Sequence, residues 1–215
     1  MIAVIGGSGN LGKGIAIQLA LAGKEVVIGS RKAEKGKQIA SELSNQIDKK
    51  IEGTGNLEAV EKSDIIFLSI PHFAIDNMLQ QIKPGLEPGN ILVSVIVPLS
   101  KEGDKFALQE PKEGSAAAKI ALETPEKVSV ISALQIVPAK RLQTPEKSLD
   151  SDVIVCGDQP EAKEKIMKII EKIPDARAID GGSLSNSNLV EAAAGLLVEL
   201  TRIHGGEVSI RFKGI

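Results

Sequence analysis

The chain opens with Met1–Gly14, MIAVIGGSGNLGKG. The apolar run Ile2–Ile5 passes straight into a glycine-rich turn, and Leu11–Ala22 then shows the apolar spacing of a helix. Gly7-Ser8-Gly9-Asn10-Leu11-Gly12 reads G-x-G-x-x-G. That pattern is weak by itself. Between a strand and a helix it is the dinucleotide-binding fingerprint. Gly7 permits the tight turn, Gly9 lets a pyrophosphate approach the backbone, and Gly12 lets helix and strand pack closely. The free N–H groups at the helix start complete a phosphate site.

The tip of the second strand selects the cofactor. NAD-dependent proteins place a carboxylate on the ribose hydroxyls about 20 residues after the loop. Here the predicted strand Glu25–Gly29 runs into Ser30-Arg31-Lys32, with Lys35 one turn further on. A hydroxyl, a guanidinium and ammonium groups suit a 2′-phosphate, which arginine can bind bidentately. Cations are poorly placed at a helix N-terminus unless an anion joins them. The stretch therefore predicts NADP(H) rather than NAD(H), with Ser30, Arg31 and Lys35 on the 2′-phosphate and the backbone at Gly7 and Gly9 beside the pyrophosphate.

Working outward, apolar runs alternate with helical patterns, which predicts βαβ units and a mostly parallel sheet. Strands are expected at Ile2–Ile5, Glu25–Gly29, Ile51–Thr54, Ile65–Ile70, Ile91–Val97, Val128–Ala133, Val153–Cys156 and Ala176–Ile179. Helices are expected at Leu11–Ala22, Ala33–Gln46, Leu57–Lys62, Ala74–Ile82, Ser115–Leu122, Pro160–Lys172 and Ser185–His204. The fold class is α/β, a Rossmann-type doubly wound sheet over residues 1–180 with a small C-terminal helical segment over 181–215. Ligands in such sheets lie beyond the carboxyl ends of the strands. That places Ile70 and Pro71, and Val97 and Pro98, beside the nicotinamide. The polar stretch 101–114, KEGDKFALQEPKEG, reads as a long loop of the kind that forms lids.

Composition removes several classes. A formal net charge of −2 gives no general attraction for nucleic acid. The longest apolar run, ILVSVIV, is too short to span a bilayer, and the opening residues show no basic-then-apolar leader, so a cytoplasmic protein is expected. One cysteine and two histidines support neither a disulfide framework nor a metal cluster. Without tyrosine or tryptophan the chain has no tyrosine acid and no ring sandwich for a flavin.

Dehydrogenation of an alcohol needs a placed Lys, His or Tyr. The long last helix carries no lysine, His72 lies at a strand end, and Cys156 sits in an apolar strand. Hydride transfer between two redox cofactors needs less: two stacked rings with reacting carbons in contact. No catalytic side chain is then expected.

GGSGNLGKG (6–14), GSRKAEK (29–35), DIIFLSIP (64–71), SVIVP (94–98), SALQIVPA (132–139), DVIVCGD (152–158) and GSLSNSNLVE (182–191) together resemble the NADPH-dependent reductases of coenzyme F420, an 8-hydroxy-5-deazaflavin. The resemblance covers nearly the whole chain and extends to the oxidoreductase domain of membrane ferric reductases. It implies hydride transfer between NADP(H) and F420. It implies Val97 and Ala139 at the nicotinamide end, Gln135, Val137 and Pro138 against the deazaflavin, and Val208 closing over it. It also implies a homodimer with the C-terminal helix contributing. The chain departs from the family pattern at Gln135, where histidine is common, and at His72, where tryptophan is common. Both lie on the acceptor side, so FMN, FAD or a ferric chelate remains an alternative acceptor. A non-catalytic NADP(H) sensor is the alternative of another class.

Overall fold

The computed structural model describes residues 1–215, apart from the side chain at position 102. Its elements run β1 (Ile2–Ile5), α1 (Asn10–Leu21), β2 (Val26–Ser30), α2 (Ala33–Ile47), β3 (Ile51–Gly55), α3 (Asn56–Glu61), β4 (Ile65–Leu68), α4 (Ile75–Ile82) and β5 (Ile91–Ser94). They continue β6 (Leu99–Glu102), β7 (Lys105–Leu108), α5 (Ala116–Glu123), β8 (Ser129–Ser132), α6 (Ala139–Leu142), β9 (Ser151–Gly157), α7 (Pro160–Ile170), β10 (Ala176–Asp180) and α8 (Ser187–His204).

The main sheet has eight strands in the order β10-β9-β8-β5-β4-β1-β2-β3. All neighbours are parallel except β8 and β9. Strand order reverses beside β1, the doubly wound arrangement. Each central strand is buried on both faces, which is why it reads as an unbroken apolar run. Ile2, Val4, Val26, Ile28 and Phe67 pack with α1, α2 and α7 on one face. Ala3, Ile5, Val27, Ile66 and Leu68 pack with α3, α4 and α5 on the other. A third cluster, Ile136, Cys156, Val190, Ala194 and Leu197, docks α8 beyond the sheet's end. The boundary expected at 180/181 falls at the end of β10.

Three expectations need correction. Strands predicted to reach Ile70 and Val97 stop at Leu68 and Ser94. The cause is loss of partners: Leu68 pairs with Ile5, after which Gly6 turns away at φ +81°. Residues 69–71 and 95–98 therefore lie beyond the strand ends. The stretch 101–114 is not all loop. Leu99–Glu102 and Lys105–Leu108 form an antiparallel hairpin, with Gly103 at φ +61° in its two-residue turn. The Phe106 N–H donates to Glu199 Oε1 of α8 at 2.9 Å, so tertiary contact fixes what local composition left polar. Helix α6 has no counterpart among the expected elements. Its four residues are too few to show a helical period.

Candidate cofactor and acceptor site

The glycine loop carries its assignments in its sterics. A Cβ on Gly12 would stand 2.7 Å from the Gly6 carbonyl oxygen, and one on Gly7 would stand 2.7 Å from Ile28 Cγ2. Those glycines are needed for packing. Gly9 differs: a Cβ there would meet only the Gly6 oxygen, at an ordinary 3.6 Å. Its missing side chain serves nothing inside the protein and leaves the outer face of the loop clear. Gly9 is the N-cap of α1, whose first turn has neither a side-chain cap nor an acidic residue. The exposed N–H groups and the open cradle fit a pyrophosphate.

Gly6 escaped the sequence reading. A Cβ there would overlap the Ser69 carbonyl oxygen, so this glycine lets the loop lie against the end of β4 and Ile70. The doubled glycine directly after β1 was its signal. On the other side, β2 delivers Ser30, which is buried, and then the exposed Arg31, Lys32 and Lys35. These three cations make no ion pair among the described residues. Lys32 is the N-cap of α2 and offers no side-chain cap, so the start of α2 and its cations remain open to an anion.

A cavity of about 750 Å³ adjoins the loop. Asn10 forms one edge and Gln135, Ile136, Val137, Pro138 and Ala139 form a wall. Leu197, Val198 and Thr201 of α8, Phe106 of the hairpin, and Gly206 to Val208 close the remainder. The structure thus brings Asn10, Gln135, Val137, Pro138, Ala139 and Val208 together. Ile70, Pro71, Val97 and Pro98 do not line this cavity and follow the neighbouring strand tips β4 and β5. The contributions of Phe106, Lys140, Thr201 and Arg202 were missed, because each depends on how α6, α8 and the hairpin dock.

Docking of α6 explains how the wall meets the loop. A Cβ on Gly14 of α1 would stand 2.6 Å from Leu142 Cβ, and Gln18 Nε2 donates to the Leu142 carbonyl at 2.9 Å. The wall begins at Leu134, an apolar residue at φ +70° and buried. Left-handed backbone costs a non-glycine residue about 1–2 kcal/mol, and the surrounding packing holds it there.

Gln135 has a fixed polarity. Its Nε2 donates to the Ser94 carbonyl at 3.1 Å and to Ser132 Oγ at 2.7 Å. A carbonyl only accepts, so the nitrogen must face inward. Oε1 is left buried and without a partner among the described residues. Gln135 therefore keeps one unpartnered acceptor enclosed beside the cavity wall, whereas histidine at this position could present either polarity.

The acid–base inventory is small. The cavity's ionisable side chains are Lys140, Arg202 and Glu207. Arg202 Nε donates to Glu199 at 2.9 Å, and Glu207 is paired with Arg141 at 2.6 Å. Burial pushes the Cys156 thiol up to about 11, so it stays protonated. Burial, reinforced by the nearby Lys119, lowers the pKa of His72. Among the described residues no group of acidic, histidine or cysteine side chains could hold a metal ion.

The glycine loop, its open phosphate cradle and an adjoining ring-sized cavity define a Rossmann-type, dinucleotide-dependent oxidoreductase. Comparison with known proteins narrows the class. The family described as NADP oxidoreductase, coenzyme F420-dependent, matches residues 1–98. An F420-dependent NADP reductase from Methanocaldococcus jannaschii is 37% identical over 206 residues, covering 93% of this chain and 91% of that protein. One from Methanothermobacter marburgensis is 34% identical over 205 residues, with the same two coverages of 93% and 91%. The chain belongs to this family of coenzyme F420-dependent NADP oxidoreductases. A crystal structure of a candidate F420-dependent NADP reductase from Arthrobacter sp. fb24 shares the fold, with TM-score 0.83 at 21% identity over 98% of this chain and 99% of that one.

Proposed function

We propose that the protein transfers a hydride between NADP(H) and coenzyme F420. NADP(H) and the deazaflavin supply the redox chemistry; the protein supplies position. The observation that carries the reading is the contiguity of the cavity with Asn10 of the glycine loop. A ring held in that cavity lies against a dinucleotide whose phosphates rest on the start of α1. Gly7, Ser8, Gly9, Asn10 and Leu11 hold the pyrophosphate. Ser30, Arg31 and Lys35 hold the 2′-phosphate. Ile70, Pro71, Val97, Pro98 and Ala139 border the nicotinamide. Val137, Pro138 and Val208 would give the acceptor ring apolar walls, with Gln135 beside them. No side chain serves as catalytic acid or base, since close approach and alignment carry the rate.

A second copy of the chain covers the outer side of α8. Leu189, Leu196 and Ile203 are 66%, 60% and 59% exposed. Spaced seven residues apart, they lie along one face of the helix. Light scattering of the purified protein reads the predicted dimer directly. Among the described residues no helix is long and apolar enough to cross a membrane.

The test is to mix the protein with NADPH and, separately, F420, FMN, FAD and a ferric chelate, following NADPH oxidation. F420 is expected to react fastest. Turnover confined to a flavin or chelate would replace the acceptor. Binding of NADPH with no turnover in any arm would make the protein a sensor.

A further inference from the structure

Residues 205–215 form neither helix nor strand, yet polar contacts tie them down on either side of Val208, and Ser209 Oγ also donates to the Asp150 carbonyl at 3.1 Å. The first anchor follows a pair of left-handed glycines, Gly205 at φ +70° and Gly206 at φ +84°. Glu207 Oε2 there accepts from Arg141 Nε at 2.6 Å, and Arg141 Nη1 also donates to the Ser148 carbonyl at 2.8 Å. Arg141 lies in α6, just beyond the Gln135–Ala139 wall.

The second anchor is Asp152 of β9, whose side chain is fully buried. Arg177 grips it bidentately, Nε to Oδ1 at 2.9 Å and Nη2 to Oδ2 at 2.7 Å. Arg211 Nη1 donates to Oδ1 at 3.1 Å and the Phe212 N–H to Oδ2 at 2.6 Å. The Asp152 N–H in turn donates to the Ile210 carbonyl at 2.9 Å. Hydrogen bonds from Arg177, the Phe212 N–H and Arg211 hold the carboxyl at a pKa of about 2 despite its burial. It is charged throughout the physiological range. A buried carboxylate with this many donors is spent on holding a segment of chain that forms no helix or strand of its own. What that segment contributes to the cavity is Gly206, Glu207 and Val208.

We infer that Arg141 and Asp152 are positioning residues of the acceptor cavity: their ion pairs strap residues 205–215 in place so that Val208 forms its outer wall. The inference rests on the reading of the cavity as the F420 site. Strap and acceptor are coupled because a loosened strap leaves only a fraction of molecules competent to bind the ring. The apparent affinity falls by that fraction. The NADP(H) site, built on the glycine loop, the tips of β2, β4 and β5 and Ala139, includes no residue of 205–215 and does not share this dependence.

The experiment compares the wild-type chain with Arg141→Ala, Glu207→Gln and Asp152→Asn. F420 KM and kcat are measured at saturating NADPH, and NADPH affinity is titrated without F420. Loss of an anchor that leaves about one molecule in ten strapped raises the F420 KM about tenfold. The kcat changes far less and NADPH affinity does not move. The reversed pair, Arg141→Glu with Glu207→Arg, brings KM back toward the wild-type value. The Arg141–Glu207 pair decides the matter whether or not Asp152→Asn folds, because it lies outside the sheet. An F420 KM unchanged in both Arg141→Ala and Glu207→Gln overturns the inference. So does a parallel loss of NADPH affinity, which would make the strap a general stabiliser. Failure of the wild type to reduce F420 with NADPH is a separate result, and it overturns the acceptor reading beneath.

Discussion

The proposed NADP(H) side draws on the loop after β1 and the tips of β2, β4 and β5, which lie side by side in one sheet. The proposed acceptor side draws on Phe106, Gln135–Pro138, α8 and Gly206–Val208, which meet only after the hairpin, α6 and the strap have docked. The first is made mostly of backbone on a rigid scaffold. The second is made of side chains on elements joined by long-range contacts. A backbone site tolerates no side chain where the ligand must approach, whereas a side-chain site can drift by small steps. Gln135 and His72, where the resemblance implies histidine and tryptophan, both lie outside the glycine loop.

The largest expected effect tests the backbone side. Gly9→Val places a branched side chain where the pyrophosphate approaches. Because a Cβ at Gly9 meets only the Gly6 oxygen at 3.6 Å, the fold should survive. Calorimetry should detect no NADPH binding while circular dichroism stays that of the wild type. Near-normal binding by this variant would reduce the loop to a plain turn.

Next is the 2′-phosphate. Loss of a hydrogen bond to a charged group costs about 1.5–3 kcal/mol, which is roughly 10- to 150-fold in affinity. Arg31→Ala should weaken NADPH within that range and leave NADH nearly unchanged. Equal losses for the two cofactors would remove Arg31 from the phosphate. The proposed site is legible in the sequence because its chemistry is local. Three glycines and a cationic strand tip stand within about two turns of the elements that present them. The sequence could not show α6, whose helix is one turn long, or the pairing of Phe106 with Glu199 across 93 positions. Nor could it show Asp152 as the anchor of a strap 59 residues away, since DVIVCGD reads as a buried strand and a family motif, neither of which names a partner for its carboxylate. Contacts of that range leave no periodicity behind.

Glu191 gives the comparison a pH axis. It lies on α8 and is 1% exposed, and its oxygens accept the Ala116 and Ala117 N–H groups at the start of α5 at 2.9 and 3.2 Å. Burial raises its pKa to about 7, with those two hydrogen bonds opposing the shift. Its folded pKa lies above the ordinary 4.5, so its favourable contribution is complete below that pH and is lost as pH rises through about 7. Glu191→Gln removes the titration but keeps a single acceptor, since the amide NH2 cannot accept the second backbone N–H. The wild type should lose about 3 kcal/mol between pH 4.5 and pH 8, or roughly 6–12 °C in Tm, while the variant changes far less over that range. The difference in Tm between the two should therefore move in the variant's favour as pH rises. Scanning fluorimetry across that range is the measurement, and a gap independent of pH would show that ionisation of Glu191 is not its source.

On the cavity side Val137 is the sensitive position. It is buried in the wall, and Val137→Gly would open space against the ring. A misplacement near 1 Å can slow a reaction by about 10²-fold. Stopped-flow measurement of the hydride step should show slowing of about 10- to 100-fold with NADPH affinity intact. An unchanged hydride step would place the ring elsewhere.

The smallest effect is the one expected at His72. Losing a catalytic acid or base costs about 10²–10⁴-fold, and histidine is the usual bearer of that role. Here His72 follows β4, outside the cavity lining. Its Nε2 is buried without a partner among the described residues, and burial together with Lys119 lowers its pKa. A neutral imidazole in that position is a poor proton donor at neutral pH. Hydride passing between two rings asks for no such donor. His72→Ala should therefore keep kcat within about tenfold of wild type, below the loss expected for an acid or base, and its pH–rate profile should keep the wild-type shape. If His72→Ala were inactive while Val137→Gly turned over normally, proton transfer rather than alignment would govern the rate, and the acceptor would have to be one that needs a proton from the protein.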